Sequence, residues 1–272
     1  MSGFLTIWLH TLSEARHRKL LVASFALIGL QLILIAALVG SASGMITVAG
    51  ALVHGMPGGT DALGAIFAGL AVTFYYPGLL LMVWLTAGFF PRMQERGSID
   101  LLLSKPIGRL ALFAGRFAGC ATIALAASTL YFGGNYLVLG WKTGIWIPAF
   151  LLTIPATLFA YTAFLTMMAL ISQAGRSTAL SAALVTGYAV FIGPLLYAAE
   201  TELGRTLMGD SAWAGLFAVL YNVLPRTTET GSLLFEAVRH GRIGDTTALL
   251  QVALSSLAWF AVGAFWFHRK DY

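Results

Sequence analysis

The sequence predicts an all-α integral membrane protein, and three observations support this class. Hydrophobic residues make up 58% of the 272 residues and charged residues only 10%, against about a quarter charged in a soluble domain. Several apolar stretches reach the roughly 20 residues that a helix needs to cross about 30 Å of hydrocarbon. The basic residues are distributed unevenly around these stretches, so the net charge of +5 reflects membrane orientation and not nucleic-acid binding.

The first predicted element is an amphipathic helix within residues 1–19. Its charges gather toward the C-terminal end, and its apolar residues recur at helical spacing. These are Phe4, Leu5, Trp8, Leu9 and Leu12. The pattern predicts a helix that lies in the membrane interface, with an extension of the first span into the cytoplasm as the alternative.

Six membrane spans follow from the apolar stretches. They cover residues 20–40, 65–90, 117–140, 149–172, 179–199 and 248–267. The first is longer than the apolar core of a signal peptide, so we interpret it as a retained span. Pro77, Pro155 and Pro194 are expected to kink or interrupt their helices. The span centres carry no Asp, Glu, Lys, Arg or His, which argues against ion-coupled transport.

The basic residues predict the orientation. Both termini, the 91–116 loop and the 173–178 loop together hold eleven of the sixteen basic residues: Arg16, Arg18, Lys19, Arg92, Arg96, Lys105, Arg109, Arg116, Arg176, Arg269 and Lys270. The opposite short loop holds only Lys142, and the other four lie in a long loop where the charge rule weakens. We therefore expect the plasma (inner) membrane, with both termini and the 91–116 loop cytoplasmic.

The external side is predicted to carry two loops. Residues 41–64 are rich in Gly, Ser and Thr, as in a solvated loop. Within the 200–247 loop, the apolar stretch 211–225 is too short for a normal crossing and is typical of a re-entrant or interfacial segment. Arg226 and Glu229 follow in a capped turn before a short helix. We interpret them as an external turn, with contact to a substrate or a periplasmic partner as the alternative.

The cytoplasmic loop contains an unusual stretch, QERGSIDLLLSKPIGR, over residues 94–109. Ser98 can cap a short helix, and Asp100 would lie in its first turn, where a negative charge favours the helix dipole. Three leucines follow before Pro106 ends the helix. So short a helix is marginal alone, and its leucines need cover from the membrane or another protein.

The same stretch, continued by LALFAGRFAG, resembles the cytoplasmic loop of the type-2 ABC transporter permeases, the membrane subunits of ABC exporters. In that family a Glu-x-Gly-Thr/Ser-Ile/Leu-Glu/Asp-Leu-Leu-Leu-x-x-Pro run forms the coupling helix that docks in a groove of the ATPase. The resemblance implies that the ATPase-coupling residues are Glu95, Gly97, Ser98, Ile99, Asp100, Leu101, Leu102, Leu103, Pro106 and Arg109. Ser98 and Asp100 replace the commoner Thr and Glu and keep their chemistry. The six spans, the interfacial helix, the external segment and the FHRKDY tail also fit the family's layout.

The resemblance implies a single permease domain over residues 1–272 that works as a homodimer in the lipid bilayer, exporting a substrate with two copies of a separate ABC ATPase. ATP and Mg are expected on that ATPase, because this chain has no G-x-x-x-x-G-K-[ST] stretch to hold phosphates. The chain itself is expected to bind no cofactor or metal and to be no enzyme. A periplasmic partner that binds the 200–247 loop is a further expectation. No nucleic-acid partner is expected.

Two other functions remain open from the residues. One is a membrane-embedded enzyme that uses external residues such as His54, Asp61, Glu229 or His240. The spacing of these residues does not by itself bring a nucleophile and a base together. The other is a structural or signalling subunit that carries out no transport.

Overall fold

The computed structural model describes residues 3–17, 19–42, 45–48, 51–53, 60–94, 108–175, 177–208, 212–241 and 246–269. Helices dominate this part of the chain. The first four are α1 (Gly3–Arg16), α2 (Lys19–Leu38), α3 (Thr60–Thr86) and α4 (Phe89–Met93). The next four are α5 (Arg109–Thr143), α6 (Thr153–Gly175), α7 (Thr178–Gly187) and α8 (Gly193–Glu200). The last four are α9 (Glu202–Met208), α10 (Ala212–Val223), α11 (Thr227–His240) and α12 (Thr247–Arg269).

Five helical stretches of the described chain are long and apolar enough to cross a membrane. They are Phe67–Met93, Arg109–Thr143, Pro148–Gly175, Thr178–Glu200 and Thr247–Arg269. Each coincides with one of the predicted spans, so the prediction of a helical, multi-pass membrane protein is confirmed. The remaining predicted span, 20–40, corresponds to α2, whose apolar part is the shorter stretch Val22–Leu38.

Successive long helices run in alternating directions, which gives the bundle two ends. We call the end that holds Gln94 and Gly108 the loop end. The opposite end, which holds Gly144 and Glu200, is the turn end. The bundle core lies where α3, α5 and α6 pack together, and it contains fully buried aromatic side chains such as Tyr75 and Phe132.

Helical structure extends into both ends of the loop predicted over residues 91–116. Residues 89–93 form α4, and α5 begins at Arg109, so residues 109–116 are helical. Gly108 has an extended backbone (φ −63°, ψ 142°) and precedes the first helical residue. The apolar residues after Arg109 continue directly into the third predicted span, which explains why one helix covers both segments.

A small antiparallel sheet forms at the turn end, where a solvated loop was predicted. Its strands are β1 (Val39–Ala42), β2 (Met45–Val48) and β3 (Ala51–Val53), in the order β1-β2-β3. Val39 pairs with Val48, and Ile46 pairs with Val53. Such β-branched residues favour strands.

The three prolines differ in their local structure. Pro155 lies in the first turn of α6, directly after a 3₁₀ turn over Pro148–Leu152. Pro194 is the second residue of α8, directly after a π-helical turn over Tyr188–Ile192. Proline has no backbone N–H and cannot donate the usual hydrogen bond to the carbonyl four residues earlier, which is consistent with this irregular turn. Pro77 lies inside α3, which continues through it. Regular α-helical geometry is therefore interrupted next to two of the three.

Candidate functional site

Most of the predicted coupling residues lie outside the described part of the chain. These are Glu95, Gly97, Ser98, Ile99, Asp100, Leu101, Leu102, Leu103 and Pro106; of the predicted set, the structure describes Arg109. It also describes α4 and the start of α5, which flank residues 95–107 in the sequence, and α1 and the end of α12, which pack against them. We call these elements the loop frame.

The chain enters the loop from the protein interior. Phe89, Phe90 and Met93 of α4 are buried, and Gln94 is only 2% exposed. The Gln94 backbone N–H donates a hydrogen bond of 3.0 Å to the Pro91 carbonyl. The upstream edge of the loop is therefore packed against the bundle.

The chain leaves the loop at a second fixed point. The Arg109 guanidinium donates a hydrogen bond of 2.9 Å to the carbonyl oxygen of His268, in the last turn of α12. This bond satisfies a carbonyl that has no partner within its own helix, and it brings a positive charge to the negative end of the dipole. A ring cluster supports the same contact, because Phe113 of α5 lies 5.7 Å from Phe267 between ring centroids.

Arg116 joins three elements of the loop frame. Its Nη1 atom lies 2.5 Å from Glu14 Oε2 of α1 and 3.4 Å from Thr11 Oγ1. Its guanidinium also lies 5.6 Å from the centre of the Phe89 ring of α4. The Arg116 side chain is only 4% exposed and that of Glu14 24%. The sequence placed Arg116 among the charges of the cytoplasmic loop, whereas the structure places it in a buried ion pair.

Two glycines allow α1 to approach α5 closely. Gly115 and Gly119 are four residues apart, the small-xxx-small spacing that lets helix backbones meet. A Cβ atom at Gly115 would lie 2.9 Å from Ile7 Cβ, and one at Gly119 would lie 2.6 Å from Thr11 Cβ. Trp8 adds a hydrogen bond of 3.0 Å from its Nε1 to Thr122 Oγ1.

The face of α1 that packs against α5 differs from the predicted apolar stripe. The buried positions of α1 are Ile7, Thr11 and Ala15, whereas Phe4 and Leu9 are exposed. α1 ends at Arg16 and α2 begins at Lys19, so α1 is a separate helix and not a continuous extension of the first predicted span. Its exposed apolar residues remain available to lipid.

A second polar region lies at the turn end, around residues 224–226 between α10 and α11. The Tyr188 hydroxyl donates a hydrogen bond of 2.7 Å to the Pro225 carbonyl, and the Tyr75 hydroxyl donates one of 3.1 Å to the Thr227 carbonyl. Gln251 of α12 accepts a hydrogen bond of 3.1 Å from the Arg226 backbone N–H and donates one of 2.8 Å to the Leu224 carbonyl. The helices α3 and α12 and the π-helical turn at Tyr188 therefore hold this turn.

Arg226 and Glu229 lie together at this turn. The Arg226 guanidinium stacks on the Tyr221 ring at 4.2 Å and donates a hydrogen bond of 2.6 Å to Asn222 Oδ1. Its Nη1 atom lies 4.0 Å from Glu229 Oε2. Both charged residues line a cavity of about 310 Å³, with Tyr197, Leu233, Thr247 and Ala248.

The helix after this turn is buried more deeply than the sequence analysis expected. α11 packs against α3, α6, α8, α12 and the 3₁₀ turn through Thr227, Thr230, Gly231, Leu234, Ala237 and Val238. These residues are mostly three or four positions apart, and this spacing predicts that they share one buried face of a helix. α10, which covers the predicted re-entrant stretch, packs mainly on α8 and is largely exposed.

The residues considered for an enzyme are not brought together where the structure describes them. Glu229 and His240 lie eleven residues apart on α11, a rise of about 16 Å. His54 and the side chain of Asp61 lie outside the described part of the chain. The described geometry therefore gives this alternative no support.

The fold defines the class as a multi-pass helical membrane protein. No protein-family model matches the chain, and no curated protein matches it either.

Proposed function

We propose that this chain is the permease subunit of an ATP-driven ABC exporter and that it works as a homodimer with two copies of a separate ATPase. The observation that carries the proposal is the stretch from Glu95 to Arg109, with its Ser-Ile-Asp-Leu-Leu-Leu run ahead of Pro106. The loop frame supports it, because this stretch lies between two points that are fixed to the bundle.

The proposed mechanism begins at the leucines of the loop. Residues 99–103 insert into a groove of the ATPase, and the charges of Glu95 and Lys105 set the orientation at the rim of the contact. Closure of the ATPases on ATP pushes this segment. Because the stretch leads into α5, the movement reaches α5 and passes to α12 through the Arg109–His268 hydrogen bond and to α1 through the Arg116–Glu14 pair.

The proposal also assigns the orientation. α2 is the first of six spans, both termini face the cytoplasm, and the loop end is the cytoplasmic end of the bundle. α1 lies in the inner interface, with the exposed Phe4 and Leu9 toward lipid. The turn end then faces the periplasm, where the 200–247 segment is available to a further partner.

Affinity purification from gently solubilised membranes tests the proposal. The tagged parent chain should bring down a P-loop ATPase in stoichiometric amount. Leu102→Asp should lose it, because a charge in the apolar groove would be desolvated without a partner. Leu102→Met is the conservative control and should retain the ATPase. Leu203→Asp makes the same chemical change at an exposed position of α9, at the opposite end of the bundle, and should retain it too.

The absence of an ATPase with the parent chain would contradict the permease assignment and favour a structural subunit. Equal recovery with Leu102→Asp and with the parent would contradict the coupling role of the loop. ATP-dependent uptake into inverted vesicles that contain both subunits then measures transport itself.

A further inference from the structure

Two neighbouring cavities at the turn end share a lining residue, Thr247. The first is the cavity of about 310 Å³ that Arg226 and Glu229 line. The second, of about 360 Å³, is lined by Asn222, Thr247, Leu250, Gln251, Leu254 and Ser255. Thr247 lines both cavities. Arg226 also bonds directly to Asn222 and Gln251, so the two cavities are continuous in their lining.

The first cavity carries one charge of each sign. The side chains of Arg226 and Glu229 are each 20% exposed. Both charges are therefore partly withdrawn from solvent at the end of the bundle, where they line the cavity. A guanidinium binds phosphate or carboxylate well, and a carboxylate binds an ammonium group. The cavity therefore complements a zwitterion.

The second cavity has the opposite character. It follows α12, where Leu250 is 62% exposed and Leu254 67% exposed. Apart from the ends of Asn222, Thr247, Gln251 and Ser255, its surface is hydrocarbon. A polar cavity that continues into an apolar groove matches an amphiphile that has a charged head and an acyl chain.

The turn between the cavities is held in place before any ligand arrives. Pro225 and Thr227 accept hydrogen bonds from Tyr188 and Tyr75, and Gln251 bonds the backbone on both sides of Pro225. Fixing a binding turn in this way lowers the entropy that binding costs. The Tyr221 ring further limits the Arg226 side chain.

We propose that these two cavities form one site for a phospholipid with a zwitterionic headgroup. The phosphate lies toward Arg226, the ammonium group toward Glu229, and one acyl chain follows α12 past Leu250 and Leu254. Binding by the isolated chain is independent of any ATPase. That the bound lipid is the exported cargo rests on the function proposed above.

Native mass spectrometry of the purified, delipidated chain in detergent tests the site. The probes are a short-chain phosphatidylethanolamine, the matching phosphatidylglycerol, which lacks the ammonium group, and soluble phosphoethanolamine, which lacks the chains. The parent should bind one phosphatidylethanolamine about tenfold more tightly than phosphatidylglycerol, as one charge-assisted contact predicts. Soluble phosphoethanolamine should bind more weakly than either lipid.

Single substitutions test which lipid group Arg226 and Glu229 each bind. Glu229→Gln should abolish the preference for phosphatidylethanolamine, because it removes both the contact to the ammonium group and the repulsion of the phosphatidylglycerol phosphate. Arg226→Gln should weaken both lipids about tenfold. Glu202→Gln and Arg205→Gln make the same charge changes at exposed positions of α9 and should behave as the parent. Circular dichroism and melting of each variant check the fold, since Arg226 also holds the turn.

Equal affinity of the parent for the two lipids would overturn the zwitterion assignment, and so would a preference that persists in Glu229→Gln. Binding of soluble phosphoethanolamine as tightly as the lipid would overturn the role of the α12 groove. None of these results depends on whether an ATPase binds the loop, so this proposal and the permease proposal fail separately.

Discussion

Replacement of Glu14 by leucine should destabilise the protein strongly, because it leaves Arg116 charged and without its acidic partner. Arg116 is 4% exposed and lies 2.5 Å from Glu14. Removal of one member of a buried ion pair typically costs about 3–5 kcal/mol. Glu14 is 24% exposed, and Thr11 and Phe89 remain next to Arg116. We therefore expect the lower end, about 3 kcal/mol.

The double variant Glu14→Leu/Arg116→Met distinguishes two causes of the lost stability: the loss of the contact itself and the burial of an unpaired charge. Apolar residues of similar size can replace a buried pair at little cost, so the double variant should lie within about 1 kcal/mol of the parent. Equilibrium unfolding in mixed micelles, followed by circular dichroism, gives the free energies for a double-mutant cycle.

Arg205→Met is the control for this cycle. Arg205 pairs with Glu200 at 2.8 Å but is 71% exposed, and exposed pairs contribute only about 0–1 kcal/mol. If Glu14→Leu lowers the free energy of unfolding by no more than Arg205→Met does, the Arg116–Glu14 pair does not stabilise the packing of α1 on α5. If the double variant is as unstable as the two single changes combined, the loss comes from packing and not from the unpaired charge.

Two further predictions use the same unfolding assay. Gly119→Ala should destabilise by about 1–3 kcal/mol, because its Cβ would collide with Thr11. Gly133→Ala on the same helix, where no atom lies within 4 Å, should be neutral or slightly stabilising; destabilisation by both changes would indicate a general intolerance of α5. Gln31→Leu removes a hydrogen bond of 3.1 Å to Asn135 and should cost about 0.5–2 kcal/mol, as for other interhelical bonds in membranes. A larger loss would mean that Gln31 has another role.

The spans were predictable because hydrophobicity over twenty residues depends on composition alone. The loop frame was not predictable from local pattern. The Arg116–Glu14 pair joins residues 102 positions apart, and charge counting assigned Arg116 to an exposed loop. The sign of a side chain's charge predicts the side of the membrane on which the residue lies. It does not indicate whether another helix will bury that side chain.

The burial of α11 at the turn end is encoded in its residue spacing. The spacing of Thr227, Gly231, Leu234 and Val238 predicts one buried face on α11. The stretch 211–225 is more apolar than α11, but its helix α10 is largely exposed. The coupling role of residues 95–106 stays a prediction, because these residues lie outside the described part of the chain.

The length of α5 gives it mechanical leverage. Its 35 residues span about 52 Å, whereas the hydrocarbon core is about 30 Å thick, so about 22 Å of rod projects beyond it. A tilt of about 10° around the midpoint would displace Arg109 by about 4–5 Å. Since α1 is attached to α5 two turns from Arg109, through Gly115, Arg116 and Gly119, such a tilt would move the whole of α1 with it.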